Sequence, residues 1–217
     1  MAILAGGVSA YSQGQIQMFD YSASFAIQVF TASSSVASTV SVSYNGYTVR
    51  EEQGNTSDND NPGTRSYTGT PLGSGYDVEL LAGPAEDALS SLMPVPGSIV
   101  TTWLTGSAAG YWNSADLLPA IPSVTTTATV AIAAWNNEGG AIASLAAAQA
   151  AGDPWGISDT ATTSTLGYEI FAPPFLPIGL TSFSLGASTV SAVPEPSTTA
   201  FAAIGASMLL MRLRRKQ

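Results

Sequence analysis

Val40-Ser41-Val42-Ser43-Tyr44-Asn45-Gly46-Tyr47-Thr48-Val49 is the stretch whose reading decides the fold. Val40, Val42 and Tyr44 alternate with serines, the period of two that gives a strand one apolar and one polar face. Asn-Gly follows, and these two residues tolerate the positive φ that both central positions of a type I′ turn demand. A second strand starts at Tyr47, so the segment reads as a β-hairpin. Outward from it, the same period recurs in Phe25-Ile27-Val29, Tyr76-Val78-Leu80, Ile99-Thr101-Trp103 and Thr181-Phe183-Leu185. Val124 to Ala134 is a long β-branched stretch with Val124, Val130 and Ile132 on one side. Six or seven short strands with Gly- and Pro-rich turns predict an all-β fold, an antiparallel β-sandwich of immunoglobulin-like or jelly-roll-like arrangement.

One segment departs from that period. Residues 141–151 (AIASLAAAQAA) favour a helix, stopped by Gly152 and Pro154, with Ile142 and Leu145 giving it an apolar face. It is expected to pack over one sheet or one end of the sandwich.

Composition narrows the function. The 217 residues include neither Cys nor His, which removes thiol nucleophiles, disulfides, Ser–His–Asp triads and the common zinc and haem sites. Charged residues make up 10%, against about 25% in an average soluble domain. The polar surface must come from Ser, Thr, Asn, Gln and Gly, the texture of an exported protein. Four of the six basic residues, Arg212, Arg214, Arg215 and Lys216, lie at the extreme C-terminus. Residues 1–211 therefore hold 15 acids against two bases, a net of −13. Such a body repels phosphate backbones and anionic lipid, so no nucleic-acid partner is expected.

Both ends read as addresses. Val193-Pro194-Glu195-Pro196-Ser197 precedes an apolar run over residues 198–213, and the basic cluster ends the chain. As a helix that run would extend roughly 24 Å, short of the ~30 Å hydrocarbon core, a deficit that snorkelling arginines and local thinning can cover. The basic end would stay cytoplasmic. Pro194 and Pro196 hold the backbone extended and remove two donors, leaving a strip that a processing enzyme can grip. At the other end, Val8-Ser9-Ala10 fits the small-residue pattern before a signal-peptidase cut, after the apolar Ala2–Leu4. No basic region precedes it, so residues 1–10 read as the remnant of a signal peptide whose true start lies upstream of Met1.

Pro194-Glu195-Pro196, the short apolar stretch and the terminal arginine-rich cluster together resemble the PEP-CTERM sorting signal. That resemblance covers about residues 193–217. It implies recognition by exosortase, a membrane-embedded transpeptidase or protease of Gram-negative bacteria that make extracellular polysaccharide, with Pro194, Glu195 and Pro196 as the recognition residues. It divides the chain into residues 1–10, a β-sandwich body over 11–193, and a sorting signal over 194–217 that becomes a C-terminal apolar helix and basic tail. The body is also similar to the β-rich bodies of other PEP-CTERM proteins, in Tyr76-Asp77-Val78-Glu79-Leu80-Leu81-Ala82-Gly83-Pro84, Ala128-Thr129-Val130-Ala131-Ile132-Ala133-Ala134-Trp135 and Leu180-Thr181-Ser182-Phe183-Ser184-Leu185. This implies no activity. The expected protein is not an enzyme. It is held briefly in the inner membrane, then delivered to the cell surface or the exopolysaccharide matrix in a structural or interaction role.

Four sets of body residues have chemistry of their own. Ser57-Asp58-Asn59-Asp60-Asn61-Pro62-Gly63 puts hard oxygen ligands at alternate positions, as Ca²⁺ prefers, with Asp58 and Asp60 as the acids. It lacks the bidentate Glu and the sixth-position Gly of an EF-hand, and a polar loop between strands is the plainer reading, so no cofactor is required. Trp112 and Trp155, beside Gly and Pro, are either platforms for sugar rings, which would make a carbohydrate-binding module, or plugs at the end of the sandwich. Trp103 and Trp135 fall on strands and read as core. Glu51-Glu52, Glu86-Asp87 and Asp116 are candidate carboxylates for glycoside hydrolysis, but adjacent acids on a strand face opposite ways. Solubilising surface charge is the plainer reading of these acids. Asn55-Thr56-Ser57 is a formal glycosylation sequon without expected meaning in a bacterium.

Overall fold

Asn45 and Gly46 take φ of 53° and 80°, the paired left-handed geometry of a type I′ turn. The flanking chain pairs in register from Val40↔Glu51 to Tyr44↔Tyr47. The hairpin is thus formed where Asn-Gly places it. The computed structural model describes residues 14–22, 25–32, 39–56, 63–114, 117–124, 126–167 and 172–190.

In chain order the strands begin with β1 (Gly14–Gln15), β2 (Tyr21–Ser22), β3 (Phe25–Ala26), β4 (Val29–Phe30), β5 (Val40–Tyr44) and β6 (Tyr47–Glu51). Next come β7 (Tyr76–Pro84), β8 (Met93–Pro94), β9 (Ala120–Ile121) and β10 (Ala128–Asn136). Helix α1 (Leu145–Ala151) precedes β11 (Trp155–Ile157), β12 (Ala161–Thr162), β13 (Phe183–Ser184) and β14 (Ser188–Val190). The described chain is mostly β with one α-helix, and its sheets do not close into a barrel. No helix among the described residues is long and apolar enough to cross a membrane.

The longest ladder joins β7 to β10, antiparallel from Tyr76↔Asn136 to Pro84↔Ala128. On the far edge of β10 lie β11 and β12, and β8 extends the sheet beyond β7. The hairpin strands β5 and β6 gain β14 to make a three-stranded sheet. The remaining ladders are short: β1 with β9, β2 with β3, and β4 with β13 in parallel.

Strands β7 and β10 are buried on both faces, which explains why β10 reads as a nearly continuous apolar run, while β7 is interrupted by Asp77 and Glu79. Val78, Leu80, Ala82, Val130, Ile132 and Ala134 join one core, with Ile16, Met18, Ile27, Val29 and Phe183. Val124 belongs to that core too, as expected from sequence, although it precedes β10. Leu81, Ala131, Ala133 and Trp135 point the other way, into a core shared with Val42, Tyr44, Val49, Trp155 and Leu145. The small side chains of Ala131 and Ala133 let α1 lie against β10.

Three expectations need correction. The helix spans Leu145–Ala151 rather than 141–151. Ser144 is extended and caps it, its hydroxyl accepting from the Ala147 N–H at 3.2 Å, because a serine gains more as an N-cap than inside a helix. Gly152 at φ 80° ends it, with the Asp153 N–H donating to the Ala148 carbonyl at 3.0 Å, a Schellman closure. Ile99-Thr101-Trp103 is not a strand: only the bridges Val78↔Val100 and Trp103↔Trp112 form there. Val100 is buried and Ile99 is 38% exposed, while Thr101 and Thr102 are exposed and Trp103 is partly buried against the core, so no single alternation runs through the segment. Phe25 to Val29 is broken between β3 and β4, where the Ile27 N–H turns back to the Asp20 carbonyl.

Candidate functional site

Glu51 closes β6 and Glu52 follows it, and both side chains are buried, 0% and 1% exposed. The surface-charge reading of this pair is therefore corrected. One Glu51 oxygen accepts from the Ile157 N–H of β11 at 3.0 Å, and the other accepts from the Gln53 amide at 2.7 Å. Gln53 also donates to the Ile157 carbonyl at 2.7 Å. Gly156 makes the space: a Cβ there would stand 2.7 Å from the Glu51 carboxylate. Burial pushes the Glu51 carboxyl well above its ordinary range; the two hydrogen bonds oppose this and Asp159 adds to it. The residue works as a latch between β6 and β11.

Glu52 turns the other way. Its N–H donates to the Ser184 hydroxyl at 2.9 Å, and its carboxylate lies 3.6 Å from the Arg65 guanidinium. Arg65 sits 5.8 Å over the Tyr67 ring, and Tyr67 stacks on Phe30 at 4.2 Å and 6°. The Tyr67 hydroxyl is shared between the carbonyls of Gly54 and Ser182, at 2.7 and 2.6 Å. Burial raises its pKa, with Arg65 opposing. Beside this stack a cleft of about 510 Å³ is lined by Gly54, Asn55, Gly63, Thr64, Arg65 and Ser66. Its two walls are tied by the Gly63 N–H to Thr56 and the Arg65 N–H to Asn55. Glycoside hydrolysis needs two carboxyls facing one bond. Glu51 and Glu52 diverge, and each is engaged by its own partner, so this pair lacks that geometry.

Trp112 and Trp155 are also buried, 1% and 0% exposed, and neither presents a ring face to a ligand. The glycan-stacking reading of both residues is corrected. Trp112 donates its indole N–H to the Met18 carbonyl at 2.9 Å, and its backbone N–H donates to Asp20 at 2.6 Å. Its ring meets that of Trp103 edge-on, at 6.4 Å and 82°. Trp155 lies on β11 opposite Trp135, because the chain turns straight from the Gly152 stop into a strand. Both indoles are core side chains, Trp112 in the cluster with Val78 and Leu80 and Trp155 in that with Leu81 and Trp135.

Three features escape sequence reasoning. Asp20 is 1% exposed and burial pushes its carboxyl up to about 8, against hydrogen bonds from the Trp112 and Asp20 backbone. Glu79, 6% exposed on the face shared with Leu81, is pushed up to about 7 by burial. Phe175, an aromatic that the sequence does not single out, is half exposed. The only sequence sign for it is the run of prolines around it.

Other candidates fall outside the described residues. These are Asp58 and Asp60 of the calcium reading, Asp116, residues 1–10, and the tail with Pro194, Glu195, Pro196, Arg212, Arg214, Arg215 and Lys216. Among the described residues no three acidic side chains converge to hold a metal ion. Glu86 and Asp87 lie on the turn after β7, Glu86 exposed with a φ of 69°.

Comparison with protein-family models, with curated proteins and with solved structures finds no match for this chain. Its function must be argued from its own residues.

Proposed function

We propose that this is an exported surface or extracellular-matrix protein, sorted by a C-terminal PEP-CTERM signal and processed by exosortase. The body, residues 11–193, is an antiparallel β-sandwich. Residues 1–10 are the end of a signal peptide, and residues 198–213 are a membrane helix held until processing. The observation that carries this reading is the order of three elements at the C-terminus: Pro194-Glu195-Pro196, the apolar run, and Arg212, Arg214, Arg215 and Lys216. The concentration of four of the six basic residues at the end of the apolar run supports it, since Lys and Arg there keep that end cytoplasmic. The low content of charged residues and the lack of Cys and His favour a structural or interaction role in the exopolysaccharide matrix over catalysis. A binding module built on Trp112 or Trp155 is set aside, because both indoles are buried.

The test is expression of a tagged chain in hosts with and without exosortase, followed by fractionation and mass spectrometry. A tail-cleaved surface or secreted species is expected only with the enzyme, and inner-membrane retention without it. An intact C-terminus on a cytosolic product in both hosts would overturn the reading. Replacing Arg214, Arg215 and Lys216 by Ala is expected to disturb membrane orientation while leaving the thermal midpoint of the body unchanged.

A further inference from the structure

Thr160, Thr162 and Ser164 are all exposed, while Ala161 is half-buried and Thr163 is buried. This is the alternation of an edge strand, centred on β12. The Thr163 hydroxyl is used inward, accepting from the Ala128 N–H at 2.9 Å. The three outward hydroxyls line one wall of a groove of about 640 Å³, within the range of ligand sites. Its other wall is the proline-rich segment 174–179, with Phe175 and Ile178 exposed by 50% and 55%. The two walls meet at Gly179, where a Cβ would stand 2.9 Å from that of Ala161.

The Phe175 ring is held in place. Its backbone bridges to Gln17, whose N–H donates to the Pro174 carbonyl at 2.8 Å, and its ring packs on Phe19 at 6.1 Å and 48°. Pro174 and Pro177 stiffen the backbone on either side. A large apolar face kept exposed and preorganised loses little entropy when a ligand covers it. The chemistry of the groove selects the ligand. An apolar platform facing a row of hydroxyls suits a molecule with one C–H face and one hydroxyl edge, as a pyranose ring has. A wholly apolar side chain would bury those hydroxyls unpaired. No lining residue is charged, and the acidic body repels anions.

We propose that the groove between β12 and residues 174–179 binds a neutral oligosaccharide, with Phe175 as the stacking face and Thr160, Thr162 and Ser164 as hydrogen-bonding partners. The site is independent of how the tail is sorted, so its test leaves the sorting reading untouched. Full-length protein is titrated by calorimetry with cello-, xylo-, manno- and maltohexaose, with hexagalacturonate as the anionic probe and a proline-rich peptide as the alternative ligand. Binding of at least one neutral hexasaccharide is expected, weaker by about tenfold in Phe175→Ala, the scale of one lost aromatic contact. Thr162→Val is expected to weaken it less, and both variants should keep the wild-type thermal midpoint. The proposal is overturned if no neutral hexasaccharide binds at about 10 mM, or if Phe175→Ala binds like wild type. Preference for the acidic sugar or for the peptide would overturn it as well.

Discussion

The two faces of the β7–β10 ladder solve the burial problem differently. One face is wholly apolar, with Val78, Leu80 and Ala82 beside Val130, Ile132 and Ala134. It is covered by a layer of very short strands and loops, fixed by backbone bonds between distant segments. Gly14 donates to Val124, Gln15 to Gly167, Met18 to Leu117 and Val29 to Gly110. The other face is covered by regular elements, α1 and the β5–β6 hairpin, yet places Asp77 and Glu79 in line with Leu81. Asp77 is satisfied by the Asn137 amide at 2.7 Å. Glu79 lies near enough to Tyr44 to raise the phenol's pKa, adding to the larger effect of burial. Both covers pair their own backbone groups, so the acids beneath the regular one depend on side-chain partners such as Asn137.

Truncating the core has the largest expected effect. Trp135→Ala, on the helix-covered face, is expected to cost about 3–5 kcal/mol, and Leu80→Ala, on the opposite face, about 2–5 kcal/mol. Urea denaturation of each variant checks this. A negligible loss at Leu80 would show that the irregular cover does not depend on the ladder beneath it.

Titration sharpens the contrast at the next scale. Asp20, in the irregular cover, Glu79, beneath the regular one, and Glu51, at the latch, all have carboxyls raised by burial. The folded chain then keeps protons that the unfolded chain releases above about pH 4. The stability these groups contribute is therefore fully present below about pH 4 and is lost as pH rises from there to about 7 for Glu79 and about 8 for Asp20. Urea midpoints at pH 5 and pH 9 are expected to differ in that direction. Glu79→Gln should remove the part of the loss that is complete by about pH 7, on the order of 2 kcal/mol. A rise of stability with pH would refute the assignment. Smallest is the cap: Ser144→Ala is expected to cost about 1 kcal/mol, read as a shift of the same midpoint without loss of the β signal in circular dichroism.

Legibility in the sequence follows the same divide. Asn45-Gly46, the alternation of Tyr76-Val78-Leu80, the apolar run of β10 and the Gly152 stop are local signals, and each produced the expected element. The irregular cover was not legible, because its partners are fixed by pairings over long stretches of chain. Glu51 and Glu52 looked like surface acids because nothing near them in sequence announces Ile157, Gly156 or Arg65. Trp112 and Trp155 lay beside turn residues, and only the packing decides whether such a ring points inward. At 99–103 the sequence alternates but no strand forms, because only Val100 and Trp103 find bridge partners.

The parallel pairing of β4 with β13 has a kinetic consequence. The Gln28 N–H reaches the Ser182 hydroxyl across 154 positions, and Val29 has its strand partner at Phe183. Closing so wide a loop spends entropy before any contact rewards it, a condition that slows folding. The amino-terminal segment waits for the far end of the body, so a chain still being made or threaded stays open until almost all of it has arrived.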